Sequence, residues 1–365
     1  MSGAIREIAV ERLDAHDEYY SRPHTRRLGG VPVVIHPPHN PRFVALDRER
    51  PPYVVVAHGG PTGQATADMS ARMSYFASRG IGVMEVNYGG STGFGRAWRE
   101  RLRGRWGIVD VDDIVTAVRA LVAEGLADPK RIAISGGSAG GWTALSALAS
   151  SDVFACGTSY FGVTDLMRFL VDTHDFEKHY VDGLVGPWPD AAEELVARSP
   201  IHRTTEISVP VAVMQGDRDP IVPPNQAQQF VDMLRLSGVE YIYRLYKGES
   251  HGFVRTETII DSLESEFGFY VDVFGIPAPA GTADDRALPP SATTTGIWVP
   301  GDVVQRPGRR PGGPPRRGST SSPRDCLPSP SSPTVRGTDG APTPSGARSG
   351  CSVTSTSTAP RTGGA

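Results

Sequence analysis

Gly136-Gly137-Ser138-Ala139-Gly140 lies between two segments of opposite character. A short β-branched run at 131–134 precedes it and an Ala- and Leu-rich run at 142–149 follows it, which predicts a strand, a sharp turn and a helix. The glycines two residues before and after the serine lack the Cβ atoms that would collide where strand and helix approach each other. A serine on such a turn projects its hydroxyl towards a neighbouring base, so Ser138 is a candidate nucleophile.

Strand and helix patterns alternate along the chain on both sides of this turn. The alternation predicts the α/β fold class, with a mostly parallel, doubly wound sheet and helices on both faces. In such sheets, the binding and catalytic residues lie at the carboxyl ends of the strands. Strands are predicted at 31–35, 53–57, 81–86, 131–135, 153–160, 209–214 and 241–246, and helices at 67–78, 110–124, 142–149, 225–236 and 256–274.

Composition divides the 365 residues into three parts. Residues 1–50 are polar and punctuated by proline, and we interpret them as an N-terminal extension. Residues 51–276 read as one globular domain. Residues 277–365 are rich in Pro, Ser, Thr, Gly and Arg, and from residue 281 onward they contain no Lys, Glu, Phe, Tyr or His. Such a segment cannot bury enough apolar surface to offset its ordering entropy, so we expect a disordered tail.

Charge and cysteine content restrict the partners of the chain. The formal net charge is −3, and ten arginines against five aspartates in the tail leave residues 1–280 with about −8, which argues against a nucleic-acid surface. Three cysteines, Cys156, Cys326 and Cys351, make no disulfide framework. No apolar run is long enough to cross a membrane and the N-terminus lacks a signal-peptide core, so we expect no membrane partner and a cytoplasmic location. The sequence leaves the oligomeric state open.

A catalytic serine needs a base, and the base needs a carboxylate that orients it. Among the histidines downstream of Ser138, only His251 directly follows a predicted strand. The loop after the strand at 209–214 supplies two candidate acids, Asp217 and Asp219, and position alone does not choose between them. The other downstream histidines are interpreted as structural: His174, His179 and His202.

Backbone N–H groups are expected to stabilise the oxyanion that forms during acyl transfer. The turn itself offers the N–H of Ala139, the residue after the nucleophile. A second donor is expected from the loop His58-Gly59-Gly60-Pro61, which follows the strand at 53–57. Its glycines allow the backbone to turn an amide inward.

Two other polar clusters are interpreted without a catalytic role. Asp110, Asp112 and Asp113 fall in the first turn of the predicted helix at 110–124, where carboxylates stabilise the helix dipole. His36 and His39 have no third ligand nearby in sequence, so no metal site is predicted. No cofactor is predicted either.

The motifs together resemble the prolyl oligopeptidase family of serine peptidases, in particular its acylaminoacyl-peptidase and dipeptidyl-aminopeptidase-like branch. The resemblance extends over residues 30–275 and implies an α/β-hydrolase fold. It rests on HGGP at 58–61, NYGGSTGFG at 87–95, GRWG at 104–107, GGSAGG at 136–141, DPIVPPNQ at 219–226 and HGF at 251–253.

The resemblance implies site residues and an activity. It picks Asp219 rather than Asp217 as the acid, and Gly60 with Ala139 as the oxyanion donors. It also implies that Tyr160 and Phe161 line the substrate pocket. The expected activity is that of a serine peptidase, which cleaves short peptides or acyl-peptides through a Ser138–His251–Asp219 triad and an acyl-enzyme, without metal or cofactor.

Two features depart from the family pattern. Ile221 stands where prolyl oligopeptidases carry Arg and dipeptidyl peptidases carry Asn, so strict proline specificity is not expected. Family members also carry a β-propeller before the hydrolase domain, which fifty residues are too few to form, so residues 1–50 are interpreted as a remnant of the linker to it. A carboxylesterase on the same fold and an inactive fragment lacking its propeller are the alternative interpretations.

Overall fold

The computed structural model describes residues 17–45, 49–172 and 179–276. The tail predicted at 277–365, with Cys326 and Cys351, lies outside the described residues, as does His174.

The described residues form an eight-stranded sheet in the order β1-β2-β4-β3-β5-β6-β7-β8. Strand β2 runs antiparallel to β1 and β4, and the pairs from β4 through β8 are parallel. This topology is the α/β-hydrolase fold and confirms the predicted mostly parallel sheet. The strands are β1 (His24–Leu28), β2 (Val31–His36), β3 (Tyr53–Ala57), β4 (Gly82–Val86), β5 (Ile132–Gly137), β6 (Cys156–Tyr160), β7 (Val211–Gly216) and β8 (Tyr241–Tyr246).

Helices cover both faces of the sheet, because successive side chains of a strand point to opposite sides. In β3, Val54 packs in the cluster that includes Phe76 and Tyr270, whereas Val55 packs in the cluster that includes Leu121 and Phe230. The α-helices are α1 (Ala71–Ala77), α2 (Arg96–Glu100), α3 (Val109–Ala123), α4 (Ala139–Ser150), α5 (Leu166–Asp172), α6 (Tyr180–Leu184), α7 (Ala192–Arg198), α8 (Pro224–Leu236) and α9 (Thr256–Phe274). Within the described part of the chain, no helix is long and apolar enough to span a membrane.

The structure differs from the expected pattern near the N-terminus. Strands β1 and β2 belong to the sheet although they lie in the range interpreted as an extension. Strand β2 was expected from its apolar run, but β1 has the sequence HTRRL and is largely solvent-exposed. The first helix is shorter than the predicted 67–78: it begins at Ala71, after Ser70, whose hydroxyl accepts the N–H of Met73 at 3.3 Å.

Candidate active site

Ser138 lies on a tight turn between β5 and α4, with φ 56° and ψ −123°. A positive φ is unusual for a residue with a side chain, and such strain is concentrated at functional sites. The flanking glycines make the turn possible. A Cβ on Gly136 would overlap the carbonyl of Gly140, and a Cβ on Gly140 would overlap the carbonyl of Ala57. The sequence therefore needs glycine at both positions for β3, β5 and α4 to meet at the serine.

Three candidate residues from distant parts of the chain lie in hydrogen-bonding succession. His251 Nε2 is 2.9 Å from Ser138 Oγ, and His251 Nδ1 is 2.8 Å from Asp219 Oδ2. The carboxylate of Asp219 is fully buried, whereas the imidazole is 15% exposed. The arrangement gives the serine a base and gives the base a buried acceptor that fixes its tautomer.

Asp219 is held by amides as well as by the imidazole. Its Oδ1 accepts the N–H groups of Ile221 and Val222, each at 2.9 Å, and its Oδ2 accepts the side-chain amide of Gln215 at 3.2 Å. These donors hold the carboxylate in one orientation. Asp217 is engaged elsewhere, because its Oδ1 accepts the N–H of Gly248. The geometry therefore places Asp219, and not Asp217, against the imidazole.

The two predicted oxyanion donors belong to two segments that lie next to the serine. Ala139 is the first residue of α4, where a backbone N–H has no acceptor within the helix. The loop after β3 runs beside the serine: a Cβ built on Gly59 would be 3.7 Å from the Cβ of Ser138. Gly60 follows with φ 114°, a conformation that favours glycine.

His58, at the start of that loop, connects it to the segment that follows β4. Its Nε2 lies 2.7 Å from Ser91 Oγ and its ring stacks on Tyr88 with 4.3 Å between centroids. Burial lowers the pKa of His58 below its ordinary value, against the opposing effects of the Gly59 carbonyl and Glu85. Burial thus favours the neutral imidazole, and Nδ1, which lies 2.9 Å from the Gly59 carbonyl oxygen, is a nitrogen that donates.

The two residues expected to line the pocket separate in the structure. Phe161 is partly exposed, has φ 38°, and its ring centroid is 4.9 Å from that of His251. Tyr160 is buried, and its hydroxyl donates to Glu266 of α9 at 2.8 Å. Phe161 thus lies at the triad, whereas Tyr160 takes part in the packing of α9. Ile221 is partly buried and packs against an apolar cluster that includes Ala139.

Other sequence candidates lie apart from this site. His179 is exposed and pairs with Asp182 at 3.0 Å. Asp113 forms a bidentate pair with Arg101, and Asp110 accepts the hydroxyl of Thr143, so both do more than stabilise a helix dipole. No group of three or more metal-ligating side chains comes together in residues 17–45, 49–172 and 179–276.

Some residues around the triad were not singled out from the sequence. Gln215 precedes the acid loop, His58 precedes the glycines of the predicted oxyanion loop, and Glu249 lies two residues before His251. A polar residue at the end of an otherwise apolar strand run is the one signal that could have indicated Gln215. His58 contacts Tyr88 and Ser91, and Glu249 contacts Val254 and Arg255, and neither set of contacts is marked by a pattern of residue types in the sequence.

Residues 67–277, more than half of the chain, match the prolyl oligopeptidase family. The chain belongs to this family. The resemblance inferred from the motifs is therefore confirmed, and it adds the family context of serine peptidases to the geometry of Ser138, His251 and Asp219.

Several proteins of known name are similar to this chain. A solved puromycin-hydrolyzing peptidase from Mycobacterium tuberculosis is 47% identical, with a TM-score of 0.72 over 74% of this chain and 43% of that one. A puromycin hydrolase structure is 46% identical, with a TM-score of 0.71 over 74% and 42%. Dipeptidyl aminopeptidase BIII from Pseudoxanthomonas mexicana is 32% identical over 56% of this chain and 31% of its own length. The chain thus spans less than half of each relative.

Proposed function

We propose that this chain is a serine hydrolase that cleaves the amide bonds of short peptides or acyl-peptides through an acyl-Ser138 intermediate. The observation that carries the proposal is the hydrogen-bonded series from Ser138 through His251 to Asp219, with 2.9 and 2.8 Å between the successive pairs of atoms. Its position beside a glycine-flanked turn in a chain of this family adds support.

In the proposed reaction His251 Nε2 accepts the hydroxyl proton as Ser138 Oγ attacks the carbonyl carbon. Asp219 accepts the Nδ1–H and stabilises the imidazolium that forms. The N–H groups of Gly60 and Ala139 stabilise the oxyanion, and each lowers the activation free energy by about 3 kcal/mol. The imidazolium then protonates the nitrogen of the leaving amine as the C–N bond breaks, and the acyl group stays on Ser138. Water, deprotonated by His251, finally hydrolyses the ester to Ser138.

The relatives support an amide substrate, since two are named for hydrolysis of puromycin and one as a dipeptidyl aminopeptidase. A carboxylesterase with the same residues is the second candidate. It is favoured by Ile221, an apolar side chain where a residue that binds the substrate's backbone carbonyl is expected. The two candidates differ only in the leaving group.

The direct test is covalent labelling with a fluorophosphonate probe. We expect the full chain to be labelled and Ser138→Ala to be unlabelled, with hydrolysis reduced by about 10⁵- to 10⁶-fold, because the nucleophile is lost. Labelling that persists in Ser138→Ala would refute the assignment of the nucleophile. Aminoacyl-nitroanilides and p-nitrophenyl esters then separate the two candidates: a peptidase cleaves both, whereas an esterase cleaves only the esters.

A further inference from the structure

The segment between β8 and α9 carries His251 at its centre, and the side chain of Glu249 joins its two ends. The carboxylate of Glu249 accepts the N–H of Val254 at 3.0 Å and the N–H of Arg255 at 3.2 Å. Glu249 thereby bridges the two ends of a short loop, and His251 lies in the part of the chain that is enclosed. We define residues 247–255 as the histidine loop.

Glu249 is fully buried, yet it stays ionised. Burial favours the neutral acid, but the N–H of Val254, the hydroxyl of Thr258, and the side chain and N–H of Arg255 together outweigh it and lower the pKa of Glu249 to about 2. The guanidinium of Arg255 lies 3.1 Å from the carboxylate and also donates to the carbonyl of Lys247. A buried charge with this many donors is held in one position.

The backbone at Glu249 joins the histidine loop to the loop that carries the acid. The Glu249 carbonyl accepts the N–H of Arg218 at 2.9 Å, and the carboxylate of Asp217 accepts the N–H of Gly248. Gly216 lies so close to this backbone that a Cβ would be 2.5 Å from the Glu249 carbonyl oxygen. The Glu249 backbone is thus fixed relative to Asp219, and its side chain fixes the rest of the histidine loop.

We infer that Glu249 is a positioning residue for His251: its buried carboxylate closes the histidine loop and keeps the imidazole between Ser138 and Asp219. This inference rests on the proposed function of the triad. The side-chain partners of Glu249 lie between Lys247 and Thr258, and Glu249 has no contact with the nucleophile. Its loss therefore relaxes the loop, and a displacement of about 1 Å at a catalytic group can lower a rate by about 100-fold.

The alternative is a purely structural role, in which Glu249 only caps the start of α9 at Thr256. A cap contributes to stability, so its loss would lower the melting temperature and the fraction of folded molecules. It would leave turnover per folded active site unchanged. The test must therefore measure kcat per titrated site and not total activity.

The experiment compares Glu249→Gln with Glu257→Gln in the full chain. Glu257 is 73% exposed and its carboxylate lies 3.8 Å from the same Arg255 Nε, so its replacement removes a charge beside the loop without opening the loop. Fluorophosphonate titration counts the active sites, and nitroanilide hydrolysis gives kcat and KM. We expect Glu249→Gln to lower kcat per site by about 10- to 100-fold with KM within about threefold, and Glu257→Gln to match the parent.

A kcat per site in Glu249→Gln within about twofold of the parent would overturn the inference. If this variant shows no cooperative melt, Thr258→Val replaces it, because it removes one hydrogen bond to the same carboxylate. A kcat per site lowered about threefold or more then supports positioning, and an unchanged value overturns it.

A spectroscopic measurement separates failure of the inference from failure of the proposed function. The proton between His251 Nδ1 and Asp219 is expected to give a low-field NMR resonance whether or not the protein turns over substrate. Loss of this resonance in Glu249→Gln, with retention in Glu257→Gln, supports positioning even if the parent is neither labelled nor active. An unchanged resonance in Glu249→Gln overturns the inference.

Discussion

Two buried carboxylates of this domain, Asp219 at the triad and Glu266 in α9, are stabilised in different ways. Asp219 is bound by two amides of its own loop, by Gln215 and by His251. Glu266 is bound by side chains from four elements: Ser135 of β5 at 2.6 Å, Tyr160 of β6 at 2.8 Å, Tyr270 of α9 at 2.8 Å and Arg72 of α1 at 2.9 Å.

The difference indicates what each carboxylate does. Donors from its own loop and from the end of β7 fix the direction of the Asp219 carboxylate, and the proposed proton transfer by His251 requires a fixed direction. Donors from several elements fix the docking of α9 on α1 and the sheet. Burial, together with the nearby charge of Glu266, raises the pKa of Tyr160 and of Tyr270 well above the ordinary value. We therefore expect changes at Asp219 to affect rate and changes at Glu266 to affect stability.

The largest expected effect tests the catalytic side of this comparison. Asp219→Asn should lower kcat by about 10⁴-fold, because the amide no longer fixes the tautomer of His251 or stabilises its charged form. The matched control is Asp217→Asn, whose remaining carbonyl oxygen can still accept the N–H of Gly248, so its kcat should stay within about threefold of the parent. Steady-state kinetics on a nitroanilide measures both, and the opposite ranking would move the acid to Asp217.

For Glu266, the comparison predicts an effect on the free energy of unfolding instead of on the rate. Glu266→Gln should lower the free energy of unfolding by about 3 kcal/mol, because three hydroxyls and a guanidinium lose a shared charged acceptor. Arg72 is 40% exposed and can be hydrated, which limits the loss. Denaturant unfolding measures it, with Glu257→Gln on the same helix as control. A large drop in kcat per titrated site without loss of stability would contradict the comparison.

A third buried carboxylate, Asp110, sharpens the comparison because its partners are neutral. Burial raises its pKa from 3.8 to about 6, although the hydroxyl of Thr143 and the N–H of Gly107 oppose the shift. The folded state therefore binds this proton more tightly than the unfolded state, and the associated stability is present below about pH 4 and lost as pH rises through about 6.

Asp110→Asn removes this titration. Relative to the parent, the variant should gain on the order of 2–3 kcal/mol in free energy of unfolding between about pH 4 and pH 7. Denaturant midpoints of the two proteins at several pH values measure the difference. A difference that stays constant with pH would show that Asp110 is already ionised in the folded protein at pH 4.

Much of the fold follows from local patterns, because β-branched runs and amphipathic periods are set by burial on one side. Strand 53–57, strand 241–246 and helix 256–274 have the predicted bounds. Strand β1 was missed because an edge strand with one buried residue has no apolar pattern to detect. The short helices between 166 and 198 were missed too, since each depends on packing rather than on its own periodicity.

Only part of the candidate site could likewise be predicted from local sequence patterns. Ser138 and the acid and base loops could be predicted, because strand ends and glycines mark them in the sequence. Glu249 and Glu266 could not, since their hydrogen bonds depend on how loops and helices meet in the folded chain. Tyr160 lies in the predicted strand, but only the position of α9 decides that its hydroxyl donates to Glu266, whereas the ring of Phe161 lies beside His251.

The place of Glu266 in α9 has a consequence for biosynthesis. Ser135, Tyr160 and Arg72 leave the ribosome long before the residue that binds them, and so does the hydroxyl of Ser138. A nascent chain halted before residue 266 holds these donors without their acceptor. Such a domain is expected to complete its folding only after translation has passed α9, so translation itself delays the assembly of the proposed site around Ser138.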